Sequence, residues 1–183
     1  MSDQTCTTLP GGHRVAIDGA RMEAYGAVDE LNAFVGTARA LAEEITDRNG
    51  RVWPLVPFLL RVQHELFNFA SVLEAVDPAQ PGIGSAHVAR LEQEIARTNH
   101  DLKAIHSFVL SGSGVLNGAL HQCRAVCRRA ERAALSLARQ ESVPPKAVQY
   151  LNRLSDAFFV WSRWVSHVCS EDETLWDSHH SAV

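Results

Sequence analysis

An all-α bundle of five helices is the fold this sequence predicts, and three observations predict it. Four long stretches carry apolar residues at steps of three and four, the spacing that lines one face of a helix. No stretch alternates apolar and polar residues as a half-buried strand does. No internal repeat divides the 183 residues, so residues 1–183 are expected to form a single domain around one well-buried core.

Residues 1–24 read as an irregular segment, with turn signals at Pro10-Gly11-Gly12 and Asp18-Gly19. Tyr25-Gly26 leads into the first helix, whose seam of Val28, Leu31, Val35, Ala38 and Ala42 fades before Asn49-Gly50. Trp53-Pro54 opens the second, because the first turn of a helix tolerates a proline that lacks an N–H. Its seam is Leu59, Val62, Leu66, Phe69 and Leu73, and it stops at Asp77-Pro78. A Pro- and Gly-rich loop from Pro78 to Gly84 precedes a more polar third helix from Ala86 to Leu102. The glycine-rich turn from Phe108 to Gly114 leads into the fourth helix, which runs to about Gln140 on Leu116, Leu120, Cys123, Cys127, Ala130, Ala134 and Leu137. Pro144-Pro145 separates it from the fifth, whose seam is Val148, Leu151, Leu154, Phe158, Trp161, Val165 and Val168. The polar tail, residues 171–183, is expected to be loosely held.

Composition narrows the function classes. Hydrophobic residues make up 46% and charged residues 21%, as in ordinary soluble proteins. A net charge of −4 argues against general nucleic-acid binding, which needs a broad basic surface. No apolar run approaches the roughly 18 residues of a membrane span. The opening MSDQTCTT has neither the basic nor the apolar region of an export signal, so a cytoplasmic location with reduced thiols is expected. Among Cys6, Cys123, Cys127 and Cys169, the middle two fall on the seam, where free cysteine behaves as a small hydrophobe. No carboxylate cluster reads as a cation cage, so no dedicated metal site is expected.

The segment ALHQCRAVCRRAER, residues 119–132, carries the chemistry. Arg124, Arg128, Glu131 and Arg132 fall on a face beside the seam, since residues three and four apart are stacked neighbours. Guanidinium groups so placed suit phosphate or carboxylate, to which they present a planar fork of donors. The same spacing also fits a solvated basic face paired with Glu131. The fifth helix has a second stripe of Asn152, Asp156, Phe159 and Arg163. A short link makes the last two helices antiparallel neighbours, which would set Arg124 and Arg128 against Asn152 and Asp156. Phe108 and Phe159 read equally as core aromatics, and His121 and His167 as structural residues or as ligands.

Several blocks together resemble the ATP:cob(I)alamin adenosyltransferases of the propanediol-utilisation type. EAYG at 23–26 followed by VDELN at 28–32 is similar to that family's EAxGxxDELN signature, and residues 108–114 to its FxLPxGG turn, with Ser111 in place of the proline. The 119–132 segment resembles the family's arginine helix nearly residue for residue, and YLNRLSD at 150–156 with Phe158, Phe159 and Arg163 resembles its last helix. The resemblance implies a homotrimeric five-helix bundle with active sites between subunits, moving the 5′-deoxyadenosyl group of ATP onto the cobalt of cob(I)alamin and releasing triphosphate. It implies Mg²⁺ as ATP's companion and a cobalamin-dependent enzyme as receiver of the product. By resemblance, Arg128 grips the triphosphate, Glu131 and Arg132 shape the same wall, and Asn152 bonds the nucleotide. Arg124 is expected to pair with Asp29 on the corrinoid side, and Phe108 with Phe159 to wall the lower face of the cobalt.

The start of the chain departs from the pattern. The family opens on T-(K/R)-x-G-D-x-G-x-(S/T), a phosphate-cradling loop. Asp3 and Thr7 keep that pattern and are expected to contact ATP, but Ser2 and Thr5 occupy its glycine positions and Ile17 that of a lysine. Serine and threonine restrict the close approach and positive φ that glycine permits. Two further readings therefore stand beside the enzyme: a non-catalytic corrinoid- or tetrapyrrole-binding protein on the same scaffold, and a structural helical protein with an inert pocket.

Overall fold

The computed structural model describes residues 5–8, 12, 14–74 and 82–180. Its five helices are α1 (Ala20–Thr46), α2 (Leu55–Glu74), α3 (Ser85–Asn99), α4 (Val115–Ala138) and α5 (Pro145–Cys169). The all-α expectation holds, with one addition at the start. Cys6–Thr8 (β1) and Arg14–Ala16 (β2) pair antiparallel, Thr7 opposite Val15, and Ile17 N–H donates to Thr5 O at 2.9 Å. Strands of three residues are too short for alternation to register, so only their β-branched threonines and valine hinted at them. Ser2, Asp3, Pro10-Gly11 and Asp77-Pro78 lie outside the described residues.

The helix boundaries follow local chemistry. α1 begins five residues before Tyr25, because Ala20, Arg21, Met22 and Glu23 are strong helix formers behind Gly19 and Glu23 adds a favourable charge to the first turn. Asn49 ends that run by accepting from Arg51 N at 3.2 Å, while its amide donates to Val168 O at 3.0 Å. A single 3-10 turn (Gly50–Val52) and Pro54 then precede α2, so Trp53-Pro54 lies just outside the helix rather than within its first turn. α3 stops at Asn99, short of Leu102. Pro145 opens α5 at a position where its missing N–H costs nothing.

α1, α2, α4 and α5 enclose the core, and α3 packs on the outside of α5. Ion pairs from Arg21 to Glu141 and from Arg129 to Glu30 tie α1 antiparallel to α4. Between α2 and α5, Phe58 lies 5.3 Å from Trp161, and Tyr150 Oη donates to the buried Glu65 carboxylate at 2.7 Å. All seam residues named for α4 are buried, as are Leu151, Leu154, Phe158, Trp161, Val165 and Val168 of α5. Among the described residues, no helix is long and apolar enough to cross a membrane.

From Ser170 to Trp176 the tail is held by hydrogen bonds. Ser170, at φ 58°, turns the chain back at the end of α5, and Glu171 N–H caps Ser166 O at 2.8 Å. Leu110 N then donates to Thr174 O at 2.8 Å and Trp176 N to Phe108 O at 2.7 Å, so Leu175 bridges Val109. Polarity suggested a free end because this strap is bonded mainly through its backbone, which composition does not reveal.

Replacing Tyr150 by Phe removes the hydroxyl from Glu65 and leaves a buried carboxylate short of a donor. Denaturant unfolding should report a loss of about 1.5–3 kcal/mol, the range for a hydrogen bond to a charged group. An unchanged midpoint would show that Glu65 finds another donor.

Candidate active site

The site is built on the antiparallel contact of α4 and α5. The buried seam of α4 carries small side chains, Cys123, Cys127, Ala130 and Ala134, all fully buried. Cys127 Sγ donates to Leu151 O at 3.2 Å across that contact. Burial pushes the Cys123 thiol up to about 12 and raises Cys127 well above its ordinary value. Both thiols therefore stay protonated and act as packing, not as nucleophiles or ligands.

The polar stripes of the two helices meet beside this seam. Asn152 Nδ2 donates to Glu131 Oε1 at 2.9 Å, so Glu131 engages α5 rather than Arg132. One helix turn from Arg128, the Arg124 guanidinium lies 5.3 Å from the centroid of the Phe159 ring, a cation–π contact that holds both in place. His121 meets the same ring edge-on at 6.1 Å, and its Nε2 lies 3.2 Å from Ser162 Oγ. Arg128 and Arg132 are exposed, and neither makes an ion pair among the described residues. Asp156 pairs with Arg153 at 3.1 Å instead of with an α4 arginine. The α4 face thus offers two uncommitted guanidinium groups next to an aromatic floor.

Asp29 is not brought to this face within one chain. It is exposed on α1, beside a shallow hollow lined by Tyr25, Asn32 and Phe67. The register that joins Glu30 to Arg129 sets Asp29 at least about 9 Å along the bundle from Arg124, at 1.5 Å per residue. The expected Arg124–Asp29 pair is therefore absent inside the chain. Thr7 sits at the centre of β1, on a ribbon apart from the α4–α5 contact. His167 is exposed, and among the described residues no group of three or more His, Cys, Asp or Glu could hold a metal.

Phe108 stands 77% exposed, its ring edge-to-face with Trp176 at 6.1 Å. That exposure removes the core reading of Phe108, while Phe159 is half-buried under Arg124 and His121. Sequence reasoning missed Asn117, which is fully buried. Its Oδ1 accepts from Gly112 N at 2.9 Å and Ser113 N at 3.2 Å, while Nδ2 donates to Ser162 O and Ser166 Oγ, both at 3.1 Å. It therefore locks the glycine turn, whose Gly112 sits at φ +107°, to α5. The signal was an asparagine one step from the apolar seam, directly after that turn.

The fold and site define a helical-bundle protein with two unpaired arginines on α4, Arg128 and Arg132, one and two turns from an Arg124–Phe159 stack. The chain belongs to the cobalamin adenosyltransferase family, whose model matches residues 1–165. It is 34% identical to a cobalamin adenosyltransferase of Cupriavidus metallidurans over 95% of this chain and 90% of that one. It is 36% identical to a corrinoid adenosyltransferase of Bacillus subtilis, over 90% of this chain and 83% of the relative. Its fold matches a variant PduO-type ATP:corrinoid adenosyltransferase from Lactobacillus reuteri, complexed with cobalamin and ATP, with a TM-score of 0.86 at 29% identity. That match covers 96% of this chain and 94% of the other.

Burial, and after it the neighbouring Arg124 guanidinium, hold His121 below the ordinary 6.5, with Glu173 opposing weakly. The unfolded chain then binds a proton at mildly acid pH that the folded chain refuses, so stability falls as pH drops below 6.5 toward the lower folded value. Unfolding free energies measured from about pH 7 to pH 5 should show this slope, and His121→Gln should flatten it. An equal slope in the variant would assign it to other groups.

Proposed function

We propose that this protein transfers the 5′-deoxyadenosyl group of ATP to cob(I)alamin, giving adenosylcobalamin and triphosphate. The cobalt electron pair forms the bond to C5′, and the C5′–O bond breaks with its pair leaving on triphosphate. The corrinoid supplies the nucleophile, so the protein's tasks are to align the two substrates, hold the departing negative charge and exclude water. The observation that carries this reading is the α4 face itself. Arg128 and Arg132 are free to bind a polyanion, and Arg124 is stacked on Phe159 beside them.

In this reading Arg128 holds the triphosphate with Arg132, while Glu131 and Asn152, already bonded to each other, orient the nucleotide. Asp3 and Thr7 contribute from the N-terminal segment, and Mg²⁺ accompanies ATP. Phe108 and Phe159 close the lower face of the corrinoid, which disfavours an axial ligand and eases reduction of Co(II) to Co(I). Arg124 and Asp29, both without an ion pair among the described residues, pair across the interface of a homotrimer, so that each site is completed by a second copy. A cobalamin-dependent enzyme in the cytoplasm receives the product. The second reading, a corrinoid carrier without transferase activity, is favoured only by the N-terminal ribbon. There Thr5 and Ile17, one a glycine position and one a lysine position in the family, bond to each other, and the Ile17 side chain is exposed.

Purified protein given chemically reduced cobalamin and MgATP should form adenosylcobalamin, followed by absorbance. Arg128→Ala should lower kcat/KM for ATP by about a hundredfold or more, as expected when a group that stabilises leaving charge is removed. Retained corrinoid binding with no turnover in the unaltered protein would establish the carrier reading. Sedimentation should give about three times the 20.1 kDa chain mass, and a monomer at assay concentration would contradict the shared site.

A further inference from the structure

Arg163 has no part in the reaction as set out, yet it is the most firmly held cation near the site. It lies on α5 one turn beyond Phe159 and is 6% exposed. Its Nε donates to Glu173 Oε1 at 3.0 Å and Oε2 at 3.3 Å, and its Nη2 to Glu173 Oε2 at 3.1 Å and Lys103 O at 2.8 Å. A forked bond of this kind fixes orientation as well as distance. The two partners bracket one structure. Lys103 begins the segment that leads to Phe108, and Glu173 begins the strap whose backbone pairs with residues 108–110.

Around Phe108 the strap is held by the two backbone bonds and by Ser107 Oγ, which donates to Trp176 O at 3.0 Å. The Phe108 ring is exposed and touches Trp176, itself half exposed, and the strand it rides on is a single bridge. An isolated bridge between two surface segments opens at low cost unless something anchors both. Arg163 anchors both, and from the same helix face that carries Phe159. A second anchor, Asn117, fixes the far end of the same segment at Gly112 and Ser113. Strap and turn also lie close enough that a Cβ on Gly114 would collide with the Glu171 carboxylate.

We propose that Arg163 and Glu173 form a positioning pair that registers Phe108 against Phe159, so that the two rings close the corrinoid face as one unit. The bonds of the pair stand on the structure alone, whereas the facing of the two rings across a corrinoid rests on the adenosyltransferase reading. The pair touches neither substrate; it acts through the strap. Loosening it leaves the α4 arginines and Asn152 where they are, so ATP binding is untouched while axial-ligand removal at Co(II) is lost.

The test uses the full-length chain with Glu173→Gln, Arg163→Lys and Trp176→Pro, the last removing the N–H that bonds Phe108 O. Three readouts are compared with the unaltered protein: ATP affinity, the spectrum of bound Co(II) corrinoid with ATP, and amide exchange at Leu110, with Trp176 read as well in the two variants that keep its amide. Glu173→Gln and Trp176→Pro should keep ATP affinity within about twofold, while the Co(II) species without an axial ligand falls about tenfold and Leu110 exchanges about tenfold faster. Should Arg163→Lys fail to fold, Glu173→Gln decides the matter, because it breaks the pair and leaves α5 intact, while Trp176→Pro loosens Phe108 directly and sets the scale of the effect. Unchanged spectra and exchange, or a loss of ATP affinity in equal proportion, would overturn the pair's positioning role. If the unaltered protein makes no adenosylcobalamin, the transferase reading fails, and the exchange rates still decide whether the pair holds Phe108.

Discussion

Everything at the candidate site depends on the close antiparallel contact of α4 with α5. The Cys127 thiol meets Leu151 O across it, and burial of the small α4 seam and of Leu151, Leu154 and Phe158 on α5 supplies the driving force. Once the seam is set, the neighbouring stripes have no freedom in register. Glu131 must meet Asn152, Arg124 must lie over Phe159, and Asn117 must reach Ser162. A larger side chain at Cys127 or Ala130 would part the helices and shift all three contacts at once.

The electrostatics of the α4 face make sense for a half-site. A monomer with no use for Arg128 and Arg132 gains nothing from leaving both unpaired next to an aromatic floor, although exposed arginines are individually common. Here Arg129, on the adjoining face, is neutralised by Glu30, and Arg153 by Asp156, so acidic partners are available on the bundle and are used elsewhere. The pattern separates cations paired within the fold from those without an ion pair among the described residues, which the proposed reading assigns to the triphosphate. Arg163 belongs to the first group, with its charge spent on the strap.

The fold was legible because helical seams are written in side-chain spacing, and all five expected helices are present, with the ends of α1, α2 and α3 shifted by one to five residues. What escaped was written in the backbone. The β1–β2 ribbon is too short to show alternation, and the strap from Ser170 to Trp176 is held by main-chain bonds that a polar composition disguises. The early start of α1 was hidden because Gly19 caps it without the serine or aspartate that marks most helix starts. At the site, the Arg124, Arg128 and Asn152 stripes were readable from periodicity, but the contacts between the helices are Asn152 with Glu131 and Arg124 with Phe159, not the expected arginines with Asn152 and Asp156. Asn117 and Glu173 were not, since their importance lies in distant partners, Ser162, Ser166 and Arg163, that no local pattern reveals. The separation of Asp29 from Arg124 was likewise beyond reach, because it depends on the α1–α4 register.

That separation points to the most direct measurement, complementation between two inactive variants. Asp29→Ala and Arg124→Ala subunits, each without adenosyltransferase activity alone, are mixed under conditions that allow subunits to exchange. If each site takes Asp29 from one protomer and Arg124 from the next, random assembly rebuilds about a quarter of the sites, and activity should recover to about that level. Activity no higher than that of either variant alone, with exchange demonstrated, would contradict a site shared between copies of this chain.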